Sequence, residues 1–301
     1  YLSAMLSILI PTYQYNVFEL VSNLHQQAQN NGIEFEICVY DDCSPIPVKE
    51  NNIINTLAHA RYTVLDKNIG RSAIRNKLAH DATFKTLLFL DADTKIIRDD
   101  FIQKYLDHIQ PSTQIIYGGI CYQESPPPSD QILRWHYGNN REALTVKERN
   151  LHPYLRFLTL NFLIKKSVFE TITFNENIPN LRHEDTLFAL DAKKKNVHVG
   201  HIDNPVMHLG LENSEVFLRK SMESVDALHQ FVTNGLIEAH ETSLSKKAIS
   251  LKKNRIAAIV QAGISLGNSY MKRNLLSKKP SLFLFDIYRL GYYLKQSKNK
   301  A

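Results

Sequence analysis

The chain has 301 residues, 44% hydrophobic and 22% charged, with 11 Gly and 11 Pro; that is one large domain or two modest ones, neither collagen-like nor disordered. Its net charge of +6 is unevenly spread, because residues 245–301 carry 13 Lys/Arg against the single acid Asp286, leaving 23 Lys/Arg against 29 Asp/Glu in the first 244 residues. A catalytic body joined to a basic tail accounts for that split better than a uniformly basic nucleic-acid binder, so no nucleic-acid partner is expected.

Residues 6–10 are a short apolar run stopped by Pro11 and predict a strand. Val17, Leu20, Val21, Leu24 and Ala28 then recur at helical spacing before Gly32, a fitting residue just past a helix end. Residues 34–40 read as a second strand running into Asp41 and Asp42, 53–57 as a short helix, and 61–65 as a third strand. Ala73, Ile74, Leu78 and Ala79 put a helix over 71–80, and 86–90 is a continuous apolar strand that ends in Asp91-Ala92-Asp93. A further helix from Asp99 would bury Phe101, Ile102, Tyr105, Leu106 and Ile109. Strands alternating with helices imply an α/β fold with a mostly parallel central sheet flanked by helices.

Residues 121–160, with Pro126-Pro127-Pro128 and few clean periods, predict a long mobile connection. Trp135, His136 and Tyr137 within it suit either ring stacking on a sugar or buried packing. Glu184 and Asp185, after Asn180 and before Leu187, Phe188 and Leu190, begin a predicted helix, where acids also suit the helix dipole. His208 follows a β-like segment. Leu218, Met222, Val225, Leu228 and Val232 line one face of a helix after Ser214, and a second helix is predicted over 245–266. The expected domains are 1–212 and a C-terminal, basic helical extension, 213–301.

Ligands of such sheets bind at the carboxyl ends of the strands. Asp41 and Asp42 end the second strand, Asp91 and Asp93 the fourth, so all four are expected at one edge. Clustered carboxylates repel unless a cation or donors compensate, and hard divalent ions bind oxygen ligands together with substrate phosphates. A metal–diphosphate site is the reading, against the plainer one that acids at strand ends only start turns.

Five segments, in order and spacing, resemble the family 2 glycosyltransferases of the GT-A type, inverting enzymes that use nucleotide sugars. They are Ser7-Ile8-Leu9-Ile10-Pro11-Thr12-Tyr13, Val39-Tyr40-Asp41-Asp42-Cys43-Ser44, Asn68-Ile69-Gly70 with Ala73-Ile74-Arg75-Asn76, Leu88-Phe89-Leu90-Asp91-Ala92-Asp93, and His183-Glu184-Asp185-Thr186. The resemblance covers about residues 5–210 and implies a GT-A, Rossmann-like sheet. Cys43 departs from it, standing where such proteins generally have Gly.

The resemblance implies that Pro11, Thr12 and Tyr13 border the nucleotide base, that Asp41 or Asp42 accepts a base N–H, which fits uracil, and that Asn68 belongs to the substrate-binding set. Asp91 would contact the ribose or the metal, and Asp93 would ligate Mn²⁺ or Mg²⁺ bridging the diphosphate, a Lewis-acid role. Arg71 or Arg75 would clamp phosphate, Arg75 being favoured by its place in the motif; a solvated basic helix face is the alternative. Inversion by single displacement needs a carboxylate to take the acceptor's proton. Asp185 is the expected base, with Glu184 positioning the acceptor or serving as the alternate. His208 would return an imidazole to the metal, favouring Mn²⁺, or is an ordinary hydrogen-bonded histidine.

The expected activity is transfer of a sugar from a nucleoside diphosphate, first of all UDP, to a hydroxyl of a glycan or lipid-linked glycan of a bacterial surface. A sugar nucleotidyltransferase would want a glycine-rich basic loop after the first strand, which Pro11-Thr12-Tyr13-Gln14-Tyr15 lacks; a non-catalytic nucleotide-sugar-binding protein is the other alternative. Cys38, Cys43 and Cys121 form no even-numbered framework and fit a reducing cytoplasm. The apolar runs at 256–266 and 282–285 are shorter than the roughly 20 residues of a membrane span. No secretory leader pattern opens the chain, and Met5 is the expected native start. Residues 280–301, aromatic and basic, fit either peripheral attachment to the inner face of the cell membrane or a packed terminal helix.

Overall fold

The structure, a computed structural model, describes residues 5–46, 48–178 and 182–296. The four residues before Met5, Asn180, and residues 297–301 of the terminal segment lie outside the described residues. In chain order the elements are β1 (Met5–Thr12), α1 (Phe18–Asn30), β2 (Glu34–Asp41), β3 (Ala60–Val64), α2 (Arg71–Asp81), β4 (Thr86–Leu90), β5 (Thr94–Ile96), α3 (Phe101–Asp107), β6 (Ile115–Tyr117) and β7 (Ile120–Cys121). There follow α4 (Ile132–Arg141), α5 (Val146–Asn150), β8 (Asn161–Lys165), α6 (Lys166–Phe169), α7 (Glu184–Lys194), β9 (Val199–His201) and β10 (Val206–His208). The chain closes with α8 (Ser214–Thr233), α9 (Ser243–Lys253), α10 (Ala257–Leu266), α11 (Asn268–Leu275) and α12 (Leu282–Gln296).

A seven-stranded sheet runs β3-β2-β1-β4-β8-β6-β9. Its first four strands are parallel, β8 is antiparallel to β4 and β6, and β9 is parallel to β6. Sheets covered on both faces read as continuous apolar runs, and Leu6, Ile8, Leu9, Leu87, Leu88 and Phe89 are all buried. β1 continues through Pro11, which was expected to stop it. Of β1, only Ser7, Ile8 and Leu9 pair with β4, so the missing proline N–H falls where β1 has a single neighbour. Winding proceeds from β1 to β2 and β3, then returns across β1 to β4. That reversal opens a crevice beyond the carboxyl ends of β1 and β4. A second sheet, β5-β10-β7, pairs β10 antiparallel to β5 and parallel to β7.

Two compact units divide the chain, one of Tyr1–Tyr122, Ala143–Asn180 and Glu184–Gly210, the other of Gln123–Glu142, Leu181–His183 and Leu211–Ala301. The first holds both sheets. The chain last passes between the units after Gly210, and the helical unit also takes residues 123–142 and 181–183.

The stretch 121–160, expected as a mobile connection, instead contains α4 and α5, the latter opened by a capping box of Thr145 and Glu148. Its period escapes an apolar template because Arg134 and Arg149 are among the buried residues. Arg149 donates to the carbonyls of Ile202 (2.9 Å), Tyr117 and Gly118 (both 3.4 Å) and lies over the Tyr117 ring. Beside it Asn161 donates to the carbonyls of Gly119 and Asn204, both at 2.9 Å.

In the helical unit Leu133, Leu218, Leu275 and Phe285 form a core, with Phe217 stacked on Phe285 and Tyr137 edge-on to it. Tyr137 is thus a packing ring, and Trp135 donates its Nε1–H to the Gln123 carbonyl at 2.8 Å. α12 commits Phe285, Leu290, Tyr293 and Leu294 to burial, the packed alternative for residues 282–296. The helix expected over 245–266 is two, α9 and α10, because Arg255 takes a left-handed φ of +59°. Among the described residues no helix is long and apolar enough to cross a membrane. The three cysteines are free, and burial pushes the Cys38 thiol up to about 12.

His201 is buried edge-on to Tyr117 and donates Nε2–H to the Pro153 carbonyl at 3.0 Å. Burial pushes its imidazole down from 6.5 to about 4. Below pH 6.5 the unfolded chain takes up a proton that the folded one refuses, so this contribution is complete above about 6.5 and lost as pH falls towards 4. We expect the urea-unfolding free energy to lose roughly 3 kcal/mol from this source across that window, and His201→Phe to flatten that part of the slope.

Candidate active site

β4 delivers Asp91 and Asp93 to the crevice. The Asp91 N–H donates to the Leu160 carbonyl (3.0 Å) and the Thr94 hydroxyl to the Asp91 carbonyl (2.7 Å), which fixes the turn. β5 then pairs with β10 so that Thr94 faces His208, and the Leu209 N–H donates to the Asp93 carbonyl at 2.8 Å. This ladder carries His208 Nε2 to 3.3 Å from Asp93 Oδ2. Gly210 leaves room for the approach: a Cβ there would lie 2.5 Å from Asp93 Oδ2 and 2.9 Å from His208 Cε1.

Arg75, one turn into α2, connects this corner to α7. Its Nη2 donates to Asp91 Oδ1 at 2.7 Å, its Nη1 is 4.0 Å from Glu184 Oε1, and its guanidinium lies 5.3 Å from the centre of the Phe174 ring. Asn76 holds Phe174 in place by accepting its N–H (2.9 Å) and donating to its carbonyl (2.9 Å). Burial works against the Arg75 charge, but Asp91, Glu184 and Asp185 together hold its pKa above the ordinary value. Asp91 goes the other way from a simple ion pair. Burial first, then the charges of Asp93 and Glu184, push its carboxyl above the usual range despite Arg75. The favoured phosphate clamp is therefore turned inward, with only 7% of its side chain exposed, whereas Arg71 is 60% exposed and stands 3.5 Å from Glu184 Oε1. The inward turn follows from position: α2 crosses from β3 to β4, and its second turn faces the sheet end. Asp185 Oδ1 accepts the Thr186 N–H at 2.7 Å in the first turn of α7.

Asp41, Asp42 and Asn68 form a second group. Asp41 accepts the Ser44 N–H (2.8 Å) and the Tyr62 hydroxyl (2.6 Å), and Asp42 accepts the Ile69 and Gly70 N–H groups at 2.7 and 2.9 Å. Asn68 donates to the Asp42 carbonyl at 2.9 Å. Every one of these four carboxylate oxygens thus holds a protein donor, and burial followed by Asp41 pushes the Tyr62 phenol up. Cys43 has φ +59°, the left-handed conformation that glycine adopts without strain. Of the strand-one loop, Thr12 is buried and Tyr13 exposed. Tyr15, which carried no expectation, has a phenol pushed up by burial and by Asp93.

No group of three or more His, Cys, Asp or Glu arranged for a metal occurs among the described residues. Asp93 and His208 nevertheless offer one oxygen and one nitrogen donor side by side, and His208 Nδ1 is a buried atom without a hydrogen-bond partner. Mn²⁺ and Mg²⁺ commonly take few protein ligands and complete their shells with water and phosphate oxygens, so these residues fit such an ion. Tyr15 and Gly210 left no chemical signal in the sequence; Tyr15 lies in the loop after β1, its carbonyl accepting from Thr12 and Asn51, and Gly210 owes its place to the pairing of β10 with β5.

The sequence model of Glycosyl transferase family 2 matches residues 7–173. A search of curated proteins gave no match. Among solved structures the chain is similar to S. aureus TarS 1-349, with 17% identity over 99% of this chain and 92% of that one and a TM-score of 0.51. It is also similar to the mannosyltransferase PcManGT from Pyrobaculum calidifontis, solved with GDP-Man and Mn²⁺, at 13% identity over 98% and 88% of the two chains and a TM-score of 0.57. A third is mannosyl-3-phosphoglycerate synthase from Rubrobacter xylanophilus, at 17% identity over 78% and 76% and a TM-score of 0.54. At these identities the likeness is one of fold.

A methyl group at position 210 must displace the Asp93 carboxylate or the His208 ring. Gly210→Ala is expected to weaken Mn²⁺ binding roughly 10–100-fold in calorimetry with a nucleoside diphosphate present, while the urea midpoint stays near that of the wild type.

Proposed function

The chain belongs to glycosyl transferase family 2, and from that premise we propose that it is an inverting glycosyltransferase moving a sugar from UDP onto a hydroxyl of a glycan or lipid-linked glycan acceptor. One observation carries the reading: Asp91 at the end of β4 and Glu184 at the start of α7 meet on Arg75, with Asp93 and Asp185 beside them. TarS has been solved with UDP-GlcNAc, and PcManGT with GDP-Man and Mn²⁺, which supports a nucleoside diphosphate donor and a divalent ion.

Asp93 and His208 would hold the ion, Mn²⁺ in preference to Mg²⁺ because one donor is an imidazole. When bound, it supplies positive charge against the negative charge gathering on the leaving diphosphate. Arg71, exposed on the first turn of α2, reaches a phosphate oxygen. Arg75 keeps Asp91 oriented towards the ribose or the ion and holds Glu184 beside the acceptor. Pro11, Thr12 and Tyr13 border the base; Asp41 or Asp42 gives a remaining lone pair to a base N–H, and Asn68 steadies that loop. Asp185 takes the proton of the acceptor hydroxyl as its oxygen bonds to the anomeric carbon and the bond to the diphosphate breaks. A single displacement of this kind inverts the carbon and needs no covalent enzyme intermediate. A lipid-linked acceptor would set the reaction at the inner face of the cell membrane.

A thermal-shift panel of nucleoside diphosphates and their sugars with Mn²⁺ tests the donor, since a ligand of the folded state raises the midpoint. UDP compounds are expected to give the largest rise, and Asp93→Asn to remove its dependence on Mn²⁺. Asp185→Asn should keep the shift but lose transfer by about 10²–10⁴-fold; turnover equal to the wild type would remove Asp185 as the base.

A further inference from the structure

A helix packed on a protein core normally hides one stripe of its surface. α10 hides none: none of its residues is buried, it carries no charged side chain, and Ile259 and Leu266 are 74% and 90% exposed. Its inner side meets α12, where Ile264 leaves no space for a Cβ on Gly291. On the other side Ala258, Ile259, Ala262, Gly263 and Leu266 are exposed at helical spacing and make one apolar strip. Exposed Lys252, Lys253 and Arg255 precede it, and exposed Lys272 and Arg273 follow. Residues 242–285 contain nine Lys/Arg and no acid.

Charge decides what covers this strip. A two-fold contact with a second copy would set the same cations against each other. The surface of a bilayer containing anionic phospholipid presents negative potential together with an apolar boundary, complementary to both parts of the strip. At about 15 Å long, α10 is half the roughly 30 Å thickness of a hydrocarbon core and suits the interface, not a crossing. We propose that α10, flanked by the basic ends of α9 and α11, inserts its outer face into the headgroup region of an anionic membrane and holds the enzyme peripherally there. The segment differs from α12, which buries Phe285, Leu290, Tyr293 and Leu294, and the inference is independent of which donor or acceptor the enzyme uses.

The test is sedimentation of the full chain with phosphatidylcholine vesicles with and without phosphatidylglycerol. Binding is expected only where phosphatidylglycerol is present, and should weaken with salt. Lys252→Gln and Lys253→Gln should each weaken it roughly fivefold. Ile259→Glu with Leu266→Glu should abolish it while leaving the thermal midpoint and sugar transfer to a soluble acceptor unchanged, since both side chains face solvent. Failure of the wild type to bind the anionic vesicles would overturn the proposal, as would equal binding by the double variant. So would wild-type self-association in sedimentation velocity that Ile259→Glu removes, which would give the face to a second copy.

Discussion

The guanidinium of Arg75 lies between the acids that end β4 and those that begin α7, and the site exists in one geometry because of it. Four carboxylates converging without a counter-charge would spread apart or take up protons. A buried arginine is an expensive remedy, since its own desolvation opposes the pairing it makes, and such a pair earns little net stability. What it does provide is direction. With Phe174 against one face, Asp91 accepting from Nη2, the Arg71 carbonyl accepting from Nη1 and Glu184 4.0 Å away, the side chain has little freedom, and neither has the Asp91 carboxylate it holds. Removing it would leave negative charges facing each other where water is scarce.

The two sheets divide the work. The seven-stranded sheet carries the acids to its carboxyl edge, with Thr12 and Asp41 paired in register across β1 and β2. The three-stranded sheet returns the far end of the same unit to that edge, so that His208 faces Thr94 beside Asp93. Local structure makes the first arrangement and long-range pairing the second. Gly210 shows how closely the second is fitted, because the approach of imidazole to carboxylate uses the space a side chain would fill.

Much of this was legible beforehand. The β1 to β4 alternation, the helix over α2 and the acids at strand ends all come from local periodicity and punctuation, which a single chain displays. The same is true of Glu184 and Asp185 at the head of α7. Partnership is harder to read: the resemblance makes Arg75 a phosphate clamp, with a solvated helix face as the alternative, and nothing local in the sequence pairs it with Asp91. α4 and α5 were hidden by buried arginines, whose positions look polar until the carbonyls that receive them, on residues 117, 118 and 202, are known. The break between α9 and α10 rests on one left-handed residue, Arg255, a conformation that the sequence does not announce.

The helical unit is assembled from separated stretches of chain, and this bears on its synthesis. α4 leaves the ribosome long before α8 and α12, the helices that cover Leu133 and Tyr137. Until those later helices emerge, its apolar side has nothing native to rest against, and exposed surface of that kind is what drives nascent chains to aggregate. Completion of the unit therefore waits on α8 and α12, translated well after α4, and a message cut short after Gly210 would yield a polypeptide that keeps α4 but none of its cover.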